Sequence, residues 1–198
     1  MRQLILPFML SGILVATPAL ADWNLDSGRS HLSFVTIKAK DVAEVNTFDE
    51  IHGVIDDQGQ VVVTLMLDSV DTLVPIRNER MRTFLFDTTD YKEAVLKAKV
   101  DPELVSGMAV GEIKQLSAEG NLSLHGKTQP MTLSMQAVKV DAGTVMVASL
   151  KPLIVDAAKF GLGDGVEKLR EIAGLESISE AVPVTFVMTF VTAPTAAK

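Results

Sequence analysis

The chain has 198 residues, a formal net charge of −7 at neutral pH and no cysteine. An acidic protein gains no counterion-release energy from a polyanion, which argues against a nucleic-acid partner. Without thiols there are no disulfides, thiol nucleophiles or cysteine-ligated metals. Stability must therefore come from apolar burial, which one domain of this length can supply.

Arg2 precedes an apolar run over residues 4–15, and Ala19-Leu20-Ala21 follows it. This order of charged, apolar and small-x-small segments predicts a secretory signal peptide over residues 1–21, cleaved after Ala21. The run falls short of the roughly 20 residues a membrane-spanning helix needs, and Pro7 interrupts it. The mature chain is expected to be soluble and to work in a periplasm or outside the cell.

From Trp23 onward most apolar residues alternate, the period of a half-buried strand. Leu32, Phe34 and Thr36 share a face of residues 30–40, and a second strand is expected over 42–55. After the turn Asp56-Asp57-Gln58-Gly59, Val61, Val63, Leu65 and Leu67 share another face, and a strand follows over 94–100. Over 119–125, Leu122 and Leu124 stand against Asn121, Ser123 and His125. Met131, Leu133, Met135 and Ala137 then oppose Thr132, Ser134 and Gln136. Residues 144–155 are apolar on both faces, and 182–191 group Val184, Phe186, Met188 and Phe190. Ser106-Gly107 and Asp141-Ala142-Gly143 read as turns. The sum is about eight antiparallel strands, an all-β chain closing as either a sandwich or a barrel.

Two segments break the alternation. Residues 75–86 begin with Pro and continue Arg77-Asn78-Glu79-Arg80-Met81-Arg82, which suits a helix and no half-buried strand. Asp164-Gly165-Val166-Glu167 has capping-box spacing, followed by Val166, Leu169, Ile172 and Ala173 on one helical face, with Gly174 as the stop. Residues 194–198 read as a flexible tail.

The three histidines, His31, His52 and His125, lack the close spacing of metal ligands. There is no G-x-S-x-G elbow, phosphate loop or dinucleotide fingerprint. Asp56-Asp57 and the acids at 68 and 71 read as solvated carboxylates in turns or at strand ends. No catalytic group, cofactor or metal is expected. What remains is an interior lined by Leu, Val, Met and Phe, which could hold a small ligand or be filled by its own side chains.

Trp23-x-x-Asp26, Ser30-His31-x-x-Phe34, Gly53-x-Ile55, Ser69-Val70-Asp71-Thr72, Arg77-Asn78-x-Arg80-Met81 and Phe84-x-Phe86-Asp87 occur in this order. Gly120-x-Leu122-x-Leu124-His125-Gly126-x-Thr128-x-Pro130 and Phe160-Gly161-Leu162 follow. Together these residues resemble the YceI-like family over nearly the whole mature chain. The resemblance implies an eight-stranded, lipocalin-like barrel over residues 22–193, exported to the periplasm and without enzymatic activity. Its tunnel would hold a long-chain apolar ligand (a polyisoprenoid, fatty acid or amide) for transport or storage, and a homodimer is possible. On this basis the expected ligand-binding residues are Phe34, Lys38, Leu65, Arg77, Arg80, Phe84, Phe86, His125, Met135, Phe160, Phe186 and Met188.

Two departures from the family pattern concern charge. Lys38 stands where members commonly carry His, and Arg77-Asn78-Glu79-Arg80-Met81 replaces Arg-Asp-x-His-Leu. Lys38, Arg77, Arg80 and Arg82 are expected to gather at one end of the barrel and receive an anionic head group; the alternative pairs these arginines with Glu79, Asp87 and Asp90 on the surface. His125 would either pin the turn before Gly126 or bond the head group, and the helix over 164–173 would lid or plug one end. A self-filled interaction protein and a lipid-modifying enzyme are the rival functions.

Overall fold

The computed structural model describes residues 23–192. The expected signal peptide and the tail over 194–198 lie outside them. Twelve strand segments form one antiparallel sheet: β1 (Trp23–Leu25), β2 (His31–Lys38), β3 (Val42–Phe48), β4 (Ile51–Ile55), β5 (Gln60–Met66), β6 (Val70–Asp71), β7 (Glu93–Lys99), β8 (Ile113–Leu124), β9 (Lys127–Asp141), β10 (Thr144–Ser149), β11 (Leu153–Asp156) and β12 (Ala181–Thr192).

Register merges these segments into eight continuous, bent strands that close as a barrel. β1 and β2 lie end to end along one edge of β12, while β10 and β11 lie along its other edge. β3 and β4 face β2 and β1, and β6 and β5 face β3 and β4 in turn. Each strand thus pairs with its chain neighbour, and Trp23 opposite Thr192 completes the ring. This is an up-and-down barrel, and closure settles the sandwich-or-barrel alternative.

The bends are held by side chains that bond backbone groups the ladder has released. Between β1 and β2, Asp26 caps the 3-10 turn Ser27–Arg29, and the buried Ser30 Oγ accepts from Thr189 N at 3.0 Å. Between β3 and β4, Ser69 Oγ accepts from Glu50 N at 3.0 Å and donates to Met66 O at 2.6 Å. The β8–β9 hairpin turns through His125 and Gly126, both with positive φ (49° and 71°), the signature of a type I′ turn.

Short helices cover one end. α1 (Pro75–Arg80) runs directly into a π-helical turn, Met81–Phe86, so the expected helix over 75–86 is present but changes its winding midway. α2 (Pro102–Ser106), capped by Asp101, lies instead at the other end, with Pro102 against the β4–β5 turn at Gly59, and was not anticipated from the sequence. α3 (Gly163–Ala173) stops at Gly174 (φ 64°) as expected. Its start differs: Leu162 occupies the N-cap without a side-chain cap, and Leu162 O accepts from Val166 N at 2.9 Å. The Asp164 capping box is thus not formed, because the helix is already wound one residue earlier. α3 packs on the π turn at Gly165, where a Cβ would stand 2.5 Å from Phe84 O.

At the opposite end, Trp23, Met108 and Lys139 are buried together near the β1–β12 closure. Lys139 is only 4% exposed, with Nζ 4.3 Å from the centre of the Trp23 ring. Burial pushes its ammonium pKa below the usual lysine value of 10.5, and Asp141 opposes this in part. A lowered folded-state pKa means the unfolded chain binds more protons between that value and 10.5, so stability rises with pH across this window. Lys139→Met is expected to raise Tm at pH 7 by roughly 2–4 °C, about 1 kcal/mol, with a smaller gain at pH 10. Thermal unfolding at both pH values checks this; an unchanged or lower Tm would mean that the cation–π contact outweighs the burial cost.

Candidate functional site

The barrel encloses a cavity of about 510 Å³. Strand alternation builds its wall: the inward residues Leu32 and Phe34 of β2, Val61, Val63 and Leu65 of β5, Leu133 and Met135 of β9, and Val184, Phe186, Met188 and Phe190 of β12 all line it. Phe34 stacks on Phe48 with ring centres 5.3 Å apart, and Phe48 meets Phe86 at 5.9 Å. Val166, Leu169 and Ala173 bring one face of α3 into the wall, as expected for an element closing that end.

Polar side chains interrupt this lining near α1. Glu44, inward on β3, accepts from Arg77 Nη1 at 2.7 Å and pairs with Lys38 Nζ at 2.8 Å. The hydrogen bond from Lys38, reinforced by the charges of Arg77 and Lys38, holds the Glu44 carboxyl below its usual pKa. Arg80, Thr36 and Asn46 line the same region.

α1 is oriented by a small network. Asn78 Oδ1 accepts from Thr72 N at 2.8 Å and from Thr72 Oγ1 at 2.6 Å, while Asn78 Nδ2 donates to Asp71 Oδ1 at 3.0 Å. The bond from Asn78 is the main reason the Asp71 carboxyl sits below its usual pKa. The Ser69-Val70-Asp71-Thr72 and Arg77-Asn78 motifs are therefore one structural unit that places Arg77 and Arg80 at the cavity.

The structure brings most of the expected ligand-binding residues together. Phe34, Leu65, Phe86, Met135, Phe186 and Met188 line the apolar part of the cavity, and Lys38, Arg77 and Arg80 its polar end. Three others lie away from it. Phe84 is 43% exposed, since the π turn directs Met81, Leu85 and Phe86 inward and leaves Phe84 outside. Phe160 is buried in the core beside the wall. His125 sits in the hairpin turn with its ring 4.2 Å from that of Tyr91, in keeping with a turn-pinning role.

The cations do converge, but their partner is neither a surface acid of α1 nor the π turn. Arg77 pairs with Glu44 across 33 residues of sequence, and Arg82 donates to Asp68 O at 3.1 Å away from the cavity wall. Glu44 and Asn46 were missed because β3 inverts the usual pattern: Glu44 and Asn46 point inward while Val45 between them is exposed. The alternation Glu44-x-Asn46-x-Phe48, continuing into an aromatic wall residue, is the signal that could have found them.

A depressed carboxylate pKa adds stability above about pH 4.5, and that contribution is lost as pH falls through the folded-state value. Glu44→Gln is expected to lower stability by about 1 kcal/mol at pH 7, because two half-buried cations lose their anion. The difference should shrink towards pH 3.5, as urea unfolding at both pH values would reveal. An equal deficit at both would show that the pair contributes shape and not charge.

No curated protein matches the chain. Among solved structures, it is similar to a polyisoprenoid binding domain from Saccharophagus degradans implicated in plant cell wall breakdown. The two share 36% identity and a TM-score of 0.85, over 86% of this chain and 98% of that one. Its fold also resembles that of BcnA from Burkholderia cenocepacia, at 19% identity and a TM-score of 0.63 over 83% of this chain and 98% of that one. A YCEI protein from Campylobacter jejuni is more distant, at 14% identity and a TM-score of 0.50 over 76% and 85% of the respective chains. Residues 23–190 match the YceI-like domain, and the chain belongs to that family.

Proposed function

We propose that the protein is an exported, periplasmic binding protein that holds a long-chain apolar molecule inside its barrel for transport or storage. The observation that carries this reading is the cavity: about 510 Å³ inside the barrel, apolar along its length and polar at one end. That volume lies in the usual range for ligand sites. A polyisoprenoid is the first candidate, in view of the name of the Saccharophagus degradans relative; a fatty acid or amide chain would fit the same walls. Export rests on the signal peptide expected over residues 1–21. No helix among the described residues is long and apolar enough to cross a membrane.

Each buried methylene contributes about 0.8 kcal/mol, so affinity should grow roughly three- to fourfold per added CH₂ until the cavity is full. Ala118 is a small wall residue on the half of β8 that leads away from α1 and α3. Ala118→Phe is expected to shorten the usable length, moving the preferred chain to a shorter one without abolishing binding. A homologous series of long-chain alcohols measured by calorimetry tests both expectations.

Organic extraction of protein purified from a periplasmic fraction, followed by mass spectrometry, tests the function itself. A long-chain compound near one per protein is the expected result. An empty barrel that takes up no added polyprenol would overturn it in favour of an interaction protein, and conversion of the bound lipid would make it an enzyme.

A further inference from the structure

Asn46 is 2% exposed and lies on the inward face of β3, between Glu44 and Phe48. Its Nδ2 donates to Thr36 Oγ1 at 3.2 Å and to the main-chain carbonyl of Glu44 at 3.4 Å. Its Oδ1 is buried and has no hydrogen-bond partner, the sole such side-chain atom among the described residues. The amide cannot simply be turned round, because Oδ1 would then face the Glu44 carbonyl, which only a donor can satisfy. A buried carbonyl left without a donor costs about 1–3 kcal/mol, so an open acceptor on the wall of a ligand cavity points to a donor brought by the ligand.

The neighbouring groups restrict what that ligand can be. Lys38 and Arg77 are committed to Glu44, whose carboxylate remains in the wall. Thr36 Oγ1 accepts from Asn46 and retains its own proton for an acceptor, and Arg80 lines the cavity with no ion pair among the described residues. A fully ionised phosphate or diphosphate offers acceptors alone and would set them against Asn46 Oδ1 and the Glu44 carboxylate. A hydroxyl offers both functions: its proton to Asn46 Oδ1, and its oxygen to Thr36 or Arg80.

Resting on the binding function above, we propose that the polar end of the cavity selects a neutral, hydrogen-bond-donating head group, a hydroxyl or a primary amide, with Asn46 as the acceptor that recognises it. The anionic head group suggested by the basic residues is thereby set aside, since Glu44 already occupies two of the cations.

The test uses one chain length with four ends: a primary alcohol, a primary amide, the methyl ether of the alcohol and its phosphate monoester. Each competes with a fluorescent lipid for the delipidated protein. The wild type is expected to bind the alcohol or the amide about tenfold more tightly than the ether, the worth of one buried hydrogen bond. Asn46→Val should abolish that preference, bringing alcohol, amide and ether to the same affinity. Equal affinity of the wild type for alcohol, amide and ether would overturn the proposal even if the variant does not fold. So would a phosphate monoester that binds more tightly than both neutral donors. In either case the chain still binds and the carrier function stands; failure of all four ligands to bind would overturn both.

Discussion

The barrel depends on one strand. β12 is unbroken over Ala181–Thr192 and carries two interrupted partners on each edge, β10 with β11 and β1 with β2. Chain neighbours could pair around the rest of the sheet, but only this pairing joins the two ends of the chain's β-meander. Without it the sheet would have two free edges and would display its Leu, Met and Phe face to water, an arrangement prone to association. Closure is thus what permits an apolar inner wall without a packed opposing layer, and a cavity follows from it. The interruptions in the partner strands are tolerated because Ser30, Asp26 and Ser69 bond the released backbone groups.

Polarity inside such a wall is concentrated where it can be satisfied. Glu44 and its two cations form a compact set at the cavity, half-buried and therefore less screened than the surface pair of Arg170 and Glu167 on α3. The same logic explains Asn78. Beside Asp71, a carboxylate at this position could accept from Thr72 but could give nothing to Asp71. The amide does both, joining β6 to α1 without setting two anions against each other. Lys139 is the exception, a buried cation at the far end with an aromatic face as its neighbour.

Strands with large apolar residues on the inner face were legible in the sequence. Val61, Val63 and Leu65, and likewise Val184, Phe186, Met188 and Phe190, alternate and line the cavity as expected. The first half of β8 was not legible, because its inward series runs Lys114, Leu116, Ala118, Gly120 and offers one large apolar side chain. β3 misled for the opposite reason, with Glu44 and Asn46 inside and Val45 outside. The π turn has no periodicity of its own to announce it, so Phe84 looked equivalent to Phe86. Long-range partnerships such as Arg77 with Glu44 depend on closure, which no local window contains. The basic residues at the site were thus readable as a group, while the acid that organises them was not.

The arrangement also sets a direction for the guest. The end near Trp23 is filled by buried side chains, whereas the other is covered by α1, the π turn and α3, short elements joined to the barrel by loops. Parting α3 from the π turn breaks a close backbone approach at Gly165 and a few apolar contacts, but no strand ladder. Opening there costs less than opening the sheet, since ladder hydrogen bonds fail only with the cooperative unit that holds them. A ligand entering by that route goes in tail first, because an apolar tail meets apolar walls all the way to the filled end. On the proposed function, its head would stop beside Arg80, Thr36 and Asn46, where the wall is polar. Because such a guest binds the closed barrel and not the unfolded chain, occupancy adds stability in proportion to the logarithm of its concentration over Kd. In a protein without disulfides, a chain filling the cavity would supply contacts that a packed core otherwise provides.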